Sequence, residues 1–176
     1  MRAFVVGLEL FMERSAFSRA LLHPRFWPLW LGLGLLWLVV QLPYVWLLAL
    51  GRALGALMYR FAKERRRIIE TNLQLCFPQL SPPERQRLVQ ANFASMGIAF
   101  FEMAISWWWP KRRLSRLGRV EGLQHLQQAA ADGQGVILMA VHFTTLEVGA
   151  NLLGQLHTID GMYRQHKNAL FDYVQR

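Results

Sequence analysis

The longest run of hydrophobic positions lies near the start of the chain. From Phe26 to Leu50 the sequence FWPLWLGLGLLWLVVQLPYVWLLAL contains no charged residue over 25 positions. A helix needs about 20 apolar residues to cross the hydrocarbon core of a bilayer, so residues 26–50 are predicted to form a transmembrane or membrane-inserted helix. A second interpretation stays open, because Pro43 is expected to kink or end a helix. A shorter helix that ends near Leu42 would enter the membrane without crossing it.

A region in which apolar residues have helical spacing follows this run. Apolar residues recur every three or four positions over residues 54–75, which predicts a helix. Its basic stretch KERRR is either a solvated face or a contact to lipid headgroups. Ser81 and Glu84 then form a predicted capping box, with a proline at the first helical position, for a helix over residues 82–106. Ala91 and Gly97 are expected to allow close approach of a neighbour, and the predicted core stripe is Leu88, Phe93, Met96, Phe100 and Met103.

From Gly118 the pattern changes to alternating strands and helices. A short strand is predicted at 118–121, a helix at about 122–131, and a buried strand, GVILMAVH, at 135–142. A helix, a second strand at 157–164 and a further helix follow. This order predicts a right-handed parallel βαβ unit, the first part of an α/β fold. The predicted regions are an N-terminal segment (1–25), the membrane helix (26–50), a helical membrane-proximal region (51–117) and the α/β part (118–176).

Charge and composition narrow the class of partner. The formal net charge is +9, and 53% of the residues are hydrophobic. Seven tryptophans accompany this positive charge, which favours a membrane interface over nucleic acid. Cys76 is the single cysteine, so neither an intrachain disulfide nor a cysteine-based metal site is expected.

Three consecutive tryptophans precede three cations in the sequence WWWPKRR. Successive helix positions differ by about 100°, so the three rings cannot all point inward from one helix. A membrane interface, where rings lie at headgroup depth and cations meet phosphates, accounts for such a cluster. A helix end buried under a loop is the alternative. The candidate membrane-interface residues are Trp107, Trp108, Trp109, Lys111, Arg112 and Arg113.

One histidine and one glutamate stand out in the segment GVILMAVHFTTLEVGANLLG. On a continuous helix, His142 and Glu147 would lie about 140° apart and could not converge. If His142 ends a strand and a helix begins near Thr144 or Thr145, Glu147 falls in the first helical turn, at the sheet edge where α/β folds place their sites. A carboxylate there can orient the imidazole, which then serves as a general base.

The surrounding sequence narrows the chemistry of this pair. Neither a Gly-x-Ser-x-Gly elbow nor a His-Glu-x-x-His zinc motif is present. A base without a protein nucleophile indicates that it activates a substrate hydroxyl. A core histidine with a satisfied hydrogen bond is the alternative interpretation of His142.

The block HFTTLEVGANLLG resembles the first block of the lipid A late acyltransferases, which belong with the His-x4-Asp/Glu glycerolipid-type acyltransferases. Four more blocks resemble the lauroyltransferase branch, in the same order: LLHPRFWPLWLGLGLLWLVVQLPY, NLQLCFPQLSPPERQRLV, WWWPKRRL and MYRQHKNALFDYV. The resemblance covers about Leu21 to Arg176.

This resemblance implies an enzyme on the cytoplasmic side of the bacterial inner membrane. Such an enzyme moves a fatty acyl chain from acyl carrier protein to a hydroxyl of a lipid A precursor, with membrane lipids around it and with no metal or cofactor. His142 matches the catalytic histidine and Glu147 its partner. Arg164 and Asn168 match substrate-binding positions, although Ala169 stands where the family commonly has proline. A surface salt bridge to Asp172 is the alternative role of Arg164.

The family also sets an expectation about length. Its members continue beyond the position that matches Arg176, so this chain is expected to hold only the N-terminal part of the acyltransferase domain and to be inactive alone. Two other functions stay open. One is a membrane-anchored module that binds lipid headgroups or a partner without catalysis, and the other is a glycerophosphate-type acyltransferase that uses the same dyad.

The apolar run at 26–50 generates the first testable prediction. The protein is expected to stay in the membrane fraction after washing with high salt and with carbonate, because screening removes only electrostatic attachment. Deletion of residues 1–50 is expected to release the protein or to make it aggregate. Complete extraction of the intact chain by salt alone would contradict the prediction.

Overall fold

A computed structural model of the protein describes residues 18–159 and 168–175. Two short 3₁₀ turns, Arg19–Leu22 and Pro24–Phe26, lead into the first α-helix. The α-helices, in chain order, are α1 (Trp27–Val39), α2 (Tyr44–Phe61), α3 (Lys63–Cys76), α4 (Pro82–Trp108), α5 (Lys111–Leu114), α6 (Leu123–Ala131), α7 (Leu146–Gly154) and α8 (Ala169–Gln175).

The described residues are mostly helical and contain no β-strand. Helices α6 and α7 lie where the sequence predicts them, but the segments at 118–121 and 135–142 are irregular instead of the expected strands. The predicted strand at 157–164 lies largely outside the described residues. A strand exists only when its N–H and C=O groups pair with a neighbour, and the described part of the chain supplies no such neighbour. The α/β class expected from the sequence is therefore not confirmed.

The uncharged run at 26–50 is not one helix. Helix α1 ends at Val39, a turn follows, and α2 begins at Tyr44 with Pro43 as its N-cap residue. Pro43 has a ψ of 143°, far from helical values, and its ring prevents the preceding turn from continuing. The 13 residues of α1 extend roughly 20 Å, which is less than the hydrocarbon thickness of about 30 Å.

By length and composition, one helix in the described part of the chain could cross a membrane. This helix is α4, with 27 residues. The bent pair of α2 and α3 passes the same criterion when the two are taken together, although a bend of 94° separates them. A candidate span therefore lies downstream of the segment that the sequence favours.

Contacts divide the chain into two compact units. The first unit comprises the described residues of Met1–Trp37, Ser106–Met139 and Gly149–Arg176. Its core joins Leu21, Phe26 and Leu33 to Leu170 of α8, and partly buried tryptophans pack around them. The second unit comprises Leu38–Ile105 and Ala140–Val148.

Close contact of glycines holds α2 against α4 in the second unit. Gly51 and Gly55, four residues apart on α2, meet Gly97 of α4, and all three are buried. A Cβ on Gly51 would lie 2.6 Å from the Cα of Ile98, and one on Gly97 would lie 2.5 Å from the backbone nitrogen of Gly55. Small residues at this spacing let helix backbones approach closely. The predicted role of Gly97 is confirmed, whereas Ala91 is exposed.

A buried polar pair lies further along the same helix contact. The Tyr44 hydroxyl donates a hydrogen bond of 2.6 Å to Oε1 of Glu102, whose side chain is buried. The second carboxylate oxygen, Oε2, is buried without a hydrogen-bond partner. Apolar side chains surround the pair, among them Leu47, Ile98 and Ile105. Because this carboxyl group already lacks one hydrogen bond in apolar surroundings, loss of the Tyr44 hydroxyl is expected to destabilise the protein more than loss of an exposed hydrogen bond would.

The capping box at the start of α4 is confirmed in one of its two halves, because the Ser81 hydroxyl donates to the Glu84 carboxylate and no backbone N–H of the described residues bonds to that hydroxyl. The backbone N–H of Ser81 donates to Oε2 of Glu84 at 2.8 Å, and Pro82 is the first helical residue. The predicted core stripe is only partly right, since Leu88 and Phe100 are exposed. The buried positions of α4 are Val89, Phe93, Gly97, Glu102, Ala104 and Ile105, because the glycine contact rotates a different face toward α2.

The glycine contact generates a stability prediction. The substitution Gly97→Ala is expected to lower the apparent melting temperature in detergent, because overpacking typically costs about 1–3 kcal/mol. Gly34→Ala is the matched control: nothing lies within 4 Å of an added Cβ on α1, so helix propensity is expected to stabilise it by up to about 1 kcal/mol. If both substitutions stabilised the protein equally, the close contact of α2 and α4 at Gly97 would be contradicted.

The buried polar pair generates a second stability prediction. Tyr44→Phe is expected to destabilise the protein by about 1–3 kcal/mol, because both oxygens of Glu102 then lack partners. The double variant Tyr44→Phe/Glu102→Leu should lie closer to the wild type, since it removes both polar groups. Tyr59→Phe is the control, because the Tyr59 hydroxyl meets Gln86 at an exposed position. A double variant less stable than Tyr44→Phe would contradict this account.

Candidate active site

Glu147 lies in the first turn of α7, and His142 lies in the irregular segment just before that helix. Between them the chain makes a short turn, in which the N–H of Phe143 donates to Val141 O at 2.9 Å and that of Leu146 donates to Phe143 O at 3.2 Å. The helix begins at Leu146, one residue after the predicted start. The expectation that Glu147 opens a helix just after His142 is confirmed.

The two predicted catalytic side chains are both exposed. In the part of the chain that the structure describes, no hydrogen bond joins the His142 ring to the Glu147 carboxylate. The N–H groups at a helix start carry partial positive charge, which favours a carboxylate in the first turn. Glu147 is therefore placed favourably by its own helix, and the ring of His142 is accessible to a substrate.

Two backbone N–H groups lie between these side chains without a backbone acceptor in the described structure. They belong to Thr144 and Thr145, whereas the N–H of Leu146 is already bonded to Phe143 O. Unpaired N–H groups next to a helix start can stabilise an oxyanion. An imidazole, a carboxylate and N–H donors thus occur within six residues of sequence, from His142 to Glu147.

The segment that precedes His142 exposes large apolar side chains. Ile137 is 96% exposed and Met139 is 92% exposed. Exposed apolar surface of this kind marks an interaction site. The predicted strand therefore has the composition of a buried element and lacks a covering layer in the described residues.

Asn151 is a polar residue of α7 that sequence reasoning did not identify. Its Nδ2 donates to the backbone oxygen of Ser106 at 3.1 Å, and its Oδ1 accepts from Nε2 of Gln155 at 2.9 Å. Carbonyl groups in the last turn of a helix lack intrahelical donors, and Ser106 lies in the last turn of α4. The available signal was an asparagine inside the apolar helix LEVGANLLG, since asparagine is disfavoured in helix interiors unless its side chain is used.

The tryptophan–cation cluster lies at the end of α4. Trp107 and Trp108 contact each other edge to face, with their ring centroids 5.6 Å apart, and both pack against the core of the first unit. Trp109 is buried, and the Arg113 guanidinium lies 3.6 Å from the centroid of its ring. Lys111 and Arg112 are exposed. The interfacial role of this cluster remains a prediction.

The predicted substrate-binding residues are placed only in part. Asn168 precedes α8, and its Oδ1 accepts a hydrogen bond of 3.0 Å from the N–H of Leu170, so its side chain caps that helix. Arg164 lies outside the described residues. The described residues also contain no group of three or more His, Cys, Asp or Glu side chains that could hold a metal ion.

Comparisons with known proteins point to one family. The chain matches the family described as "Bacterial lipid A biosynthesis acyltransferase" over residues 14–176. It is 46% identical to the lipid A biosynthesis lauroyltransferase of Escherichia coli (strain K12), an alignment that covers 90% of this chain and 52% of that protein. It is 45% identical to the palmitoleoyltransferase of the same organism, with the same coverage of both chains.

A lipid A biosynthesis acyltransferase of Haemophilus influenzae is 36% identical, over 90% of this chain and 51% of that protein. The chain thus spans about half the length of the curated relatives it matches. No solved structure matches it. Because the family match includes nearly all of its residues, the chain belongs to the bacterial lipid A biosynthesis acyltransferases.

Proposed function

We propose that this chain carries the general base of an O-acyltransferase in lipid A biosynthesis. The observation that carries the proposal is the placement of His142 immediately before a helix with Glu147 in its first turn, in a chain of this family. The acceptor is a hydroxyl of a lipid A precursor, and the donor is a fatty acyl thioester of acyl carrier protein.

The reaction uses His142 as the base. Its imidazole takes the proton of the acceptor hydroxyl while the oxygen attacks the thioester carbonyl. The C–S bond of the resulting tetrahedral intermediate then breaks, and the imidazolium returns the proton to the leaving thiolate. The products are an ester and the free thiol of the carrier, and the histidine is regenerated. General-base assistance of this kind contributes about 10²–10⁴-fold to a rate.

Glu147 and the preceding turn support this base. A carboxylate that accepts a hydrogen bond from one ring nitrogen fixes the tautomer and stabilises the imidazolium. The two side chains lie close in sequence and are exposed, and we propose that this bond forms when substrate binds. The N–H groups of Thr144 and Thr145 lack backbone acceptors in the described structure and are the donors that we assign to the oxyanion.

The segment at 135–142 acts, in this proposal, as a strand of an α/β acyltransferase sheet. Two observations support it: the nearly complete exposure of Ile137 and Met139, and the helix that begins directly after it. Pairing with a neighbouring strand would bury this apolar segment. It would also place His142 at the carboxyl end of the strand, where α/β sheets position their sites.

The positive net charge of the chain supports the proposed acyl donor and the proposed location at a membrane. The net charge of +9 favours association with an acidic carrier protein and with an anionic membrane surface. We assign the enzyme to the bacterial inner membrane with the catalytic part on the cytoplasmic side, where acyl carrier protein is found. Arg164 is the proposed contact to substrate phosphate, since its planar guanidinium binds phosphate bidentately, and Asn168 is proposed to assist in substrate binding.

The dyad is tested in a chimeric enzyme in which this chain replaces the matching half of the Escherichia coli lauroyltransferase. Purified chimera receives an acyl carrier protein loaded with a twelve-carbon chain and a lipid A precursor, and the acylated product is measured by mass spectrometry. His142→Ala is expected to reduce the transfer rate by at least about 10²-fold. Glu147→Ala is expected to reduce it similarly, because the imidazole loses its orientation.

His157→Ala is the matched control, since the only hydrogen bond of the His157 ring to a described residue is with the backbone oxygen of Thr158. It is expected to leave the rate near that of the parent chimera. Transfer at the parental rate by either dyad variant would remove that residue from the mechanism. Rapid acylation of glycerol 3-phosphate instead of the lipid A precursor would show that the proposed acceptor is wrong.

A further inference from the structure

Helix α3 is a basic helix that turns sharply away from α2. The chain breaks at Ala62, whose ψ of 64° is not helical, and the two helices meet at 94°. No residue of α3 is buried. An amphipathic helix without a buried residue leaves one face free to bind another surface.

The basic run at 63–67 divides between two faces of this helix. Arg66 is half-buried: its guanidinium lies 5.1 Å from the centroid of the Tyr59 ring, and its Nε lies 3.8 Å from a carboxylate oxygen of Glu70. In contrast, Lys63, Arg65 and Arg67 are exposed. None of these three has a hydrogen bond or an ion pair with another residue of the described structure.

Large apolar side chains occupy the outer face between these cations. Ile68 and Leu75 are 45% and 74% exposed, and seven residues place them on the same side of a helix. Phe61 and Phe77, which flank the two ends of the helix, are also exposed. Residues Ile69 and Leu73 face the protein and are half-buried. The outer face thus combines an apolar stripe, in which the exposed carboxylate of Glu64 also lies, with three cations on its borders, and its charges sum to a positive value.

The neighbouring helix defines how this face is presented. Helix α2 exposes apolar side chains, including Val45, Trp46 and Leu57, and it also exposes Arg52 and Arg60. If α2 inserts along the bilayer normal, a helix at 94° to it lies in the plane of the membrane. Its stripe can then enter the acyl-chain boundary while its cations remain at the level of the phosphates.

We propose that α3 is an interfacial helix that docks its outer face on an anionic lipid surface. Ile68 and Leu75 enter the boundary of the acyl chains, and Lys63, Arg65 and Arg67 bind headgroup phosphates. Arg66 has a different role, because it joins α3 to Tyr59 of α2. This surface lies outside the proposed catalytic dyad, and its binding is independent of acyl transfer.

The test uses a nitroxide label on the full chain in lipid vesicles. Cys76 is the single cysteine, so Cys76→Ser gives a background for Leu75→Cys on the outer face and for Gln74→Cys, which lies about 100° around the helix. Collision with a water-soluble nickel chelate and with oxygen is measured by electron paramagnetic resonance. In phosphatidylglycerol vesicles the label at 75 is expected to be shielded from nickel and open to oxygen, and the label at 74 to be more open to nickel.

A charge variant tests the lipid chemistry. Each cation near an anionic surface contributes about fivefold to binding, so Lys63→Gln/Arg65→Gln/Arg67→Gln is expected to restore nickel access to the label at 75. In phosphatidylcholine vesicles, the label at 75 on the unsubstituted helix should likewise be open to nickel. Folding of the variant is checked by its helical circular dichroism and by unchanged nickel access at position 74.

Three results would overturn the proposal. The first is a label at 75 that stays open to nickel in phosphatidylglycerol vesicles. The second is a label at 75 that stays as shielded in phosphatidylcholine vesicles, or in the charge variant, as it is on the unsubstituted chain in phosphatidylglycerol vesicles, since anionic headgroups would then not be recognised. The third is shielding that requires added acidic acyl carrier protein, which would identify the outer face as a protein-binding surface.

Discussion

The close approach of α2 and α4 at three glycines is the contact on which the second unit depends. Gly51 and Gly55 leave no room for a side chain against α4, and Gly97 leaves none against α2. This contact determines which face of each helix is buried and which residues meet along it. Tyr44 therefore meets Glu102, a carboxylate that would be costly to bury without its tyrosine partner.

The candidate site depends on a different constraint, the start of α7. A helix that begins at Leu146 places the carboxylate of Glu147 in its first turn, leaves His142 in the preceding segment, and leaves the N–H groups of Thr144 and Thr145 without backbone acceptors. The chemistry of an acyl transfer needs a base, an orienting group and an oxyanion donor, and this single local feature supplies candidates for all three.

The proposed interfacial helix and the candidate active site lie in separate parts of the described chain. The break at Ala62 changes the direction of the helix by 94°, and this bend is what presents the outer face of α3 as a separate surface. Under the proposed function the acceptor is itself a membrane lipid. A contact that fixes the height of the enzyme above the bilayer would then help to place the reactants, which lowers the entropic part of the barrier.

Local patterns in the sequence were enough to identify several features. The capping box of Ser81 and Glu84, the small residue at Gly97 and the helix start before Glu147 each depend on residues close together in the chain, so short-range physics determines them. The family was also evident from blocks of sequence. The buried face of α4 was less well predicted, because apolar residues such as Leu88 and Phe100 also occur on its exposed side.

Other features required tertiary contacts. Only the packing of α2 on α4 pairs Tyr44 with Glu102, and only the meeting of Asn151 with Ser106 gives that asparagine a partner. The segment GVILMAVH has the apolar composition of a strand, but composition cannot supply the neighbouring backbone that a strand needs. The sequence by itself therefore determined the local elements, the family and the candidate dyad. The tertiary structure decided which faces are buried and that this segment has no partner strand among the described residues, because burial and pairing depend on residues that are distant in sequence.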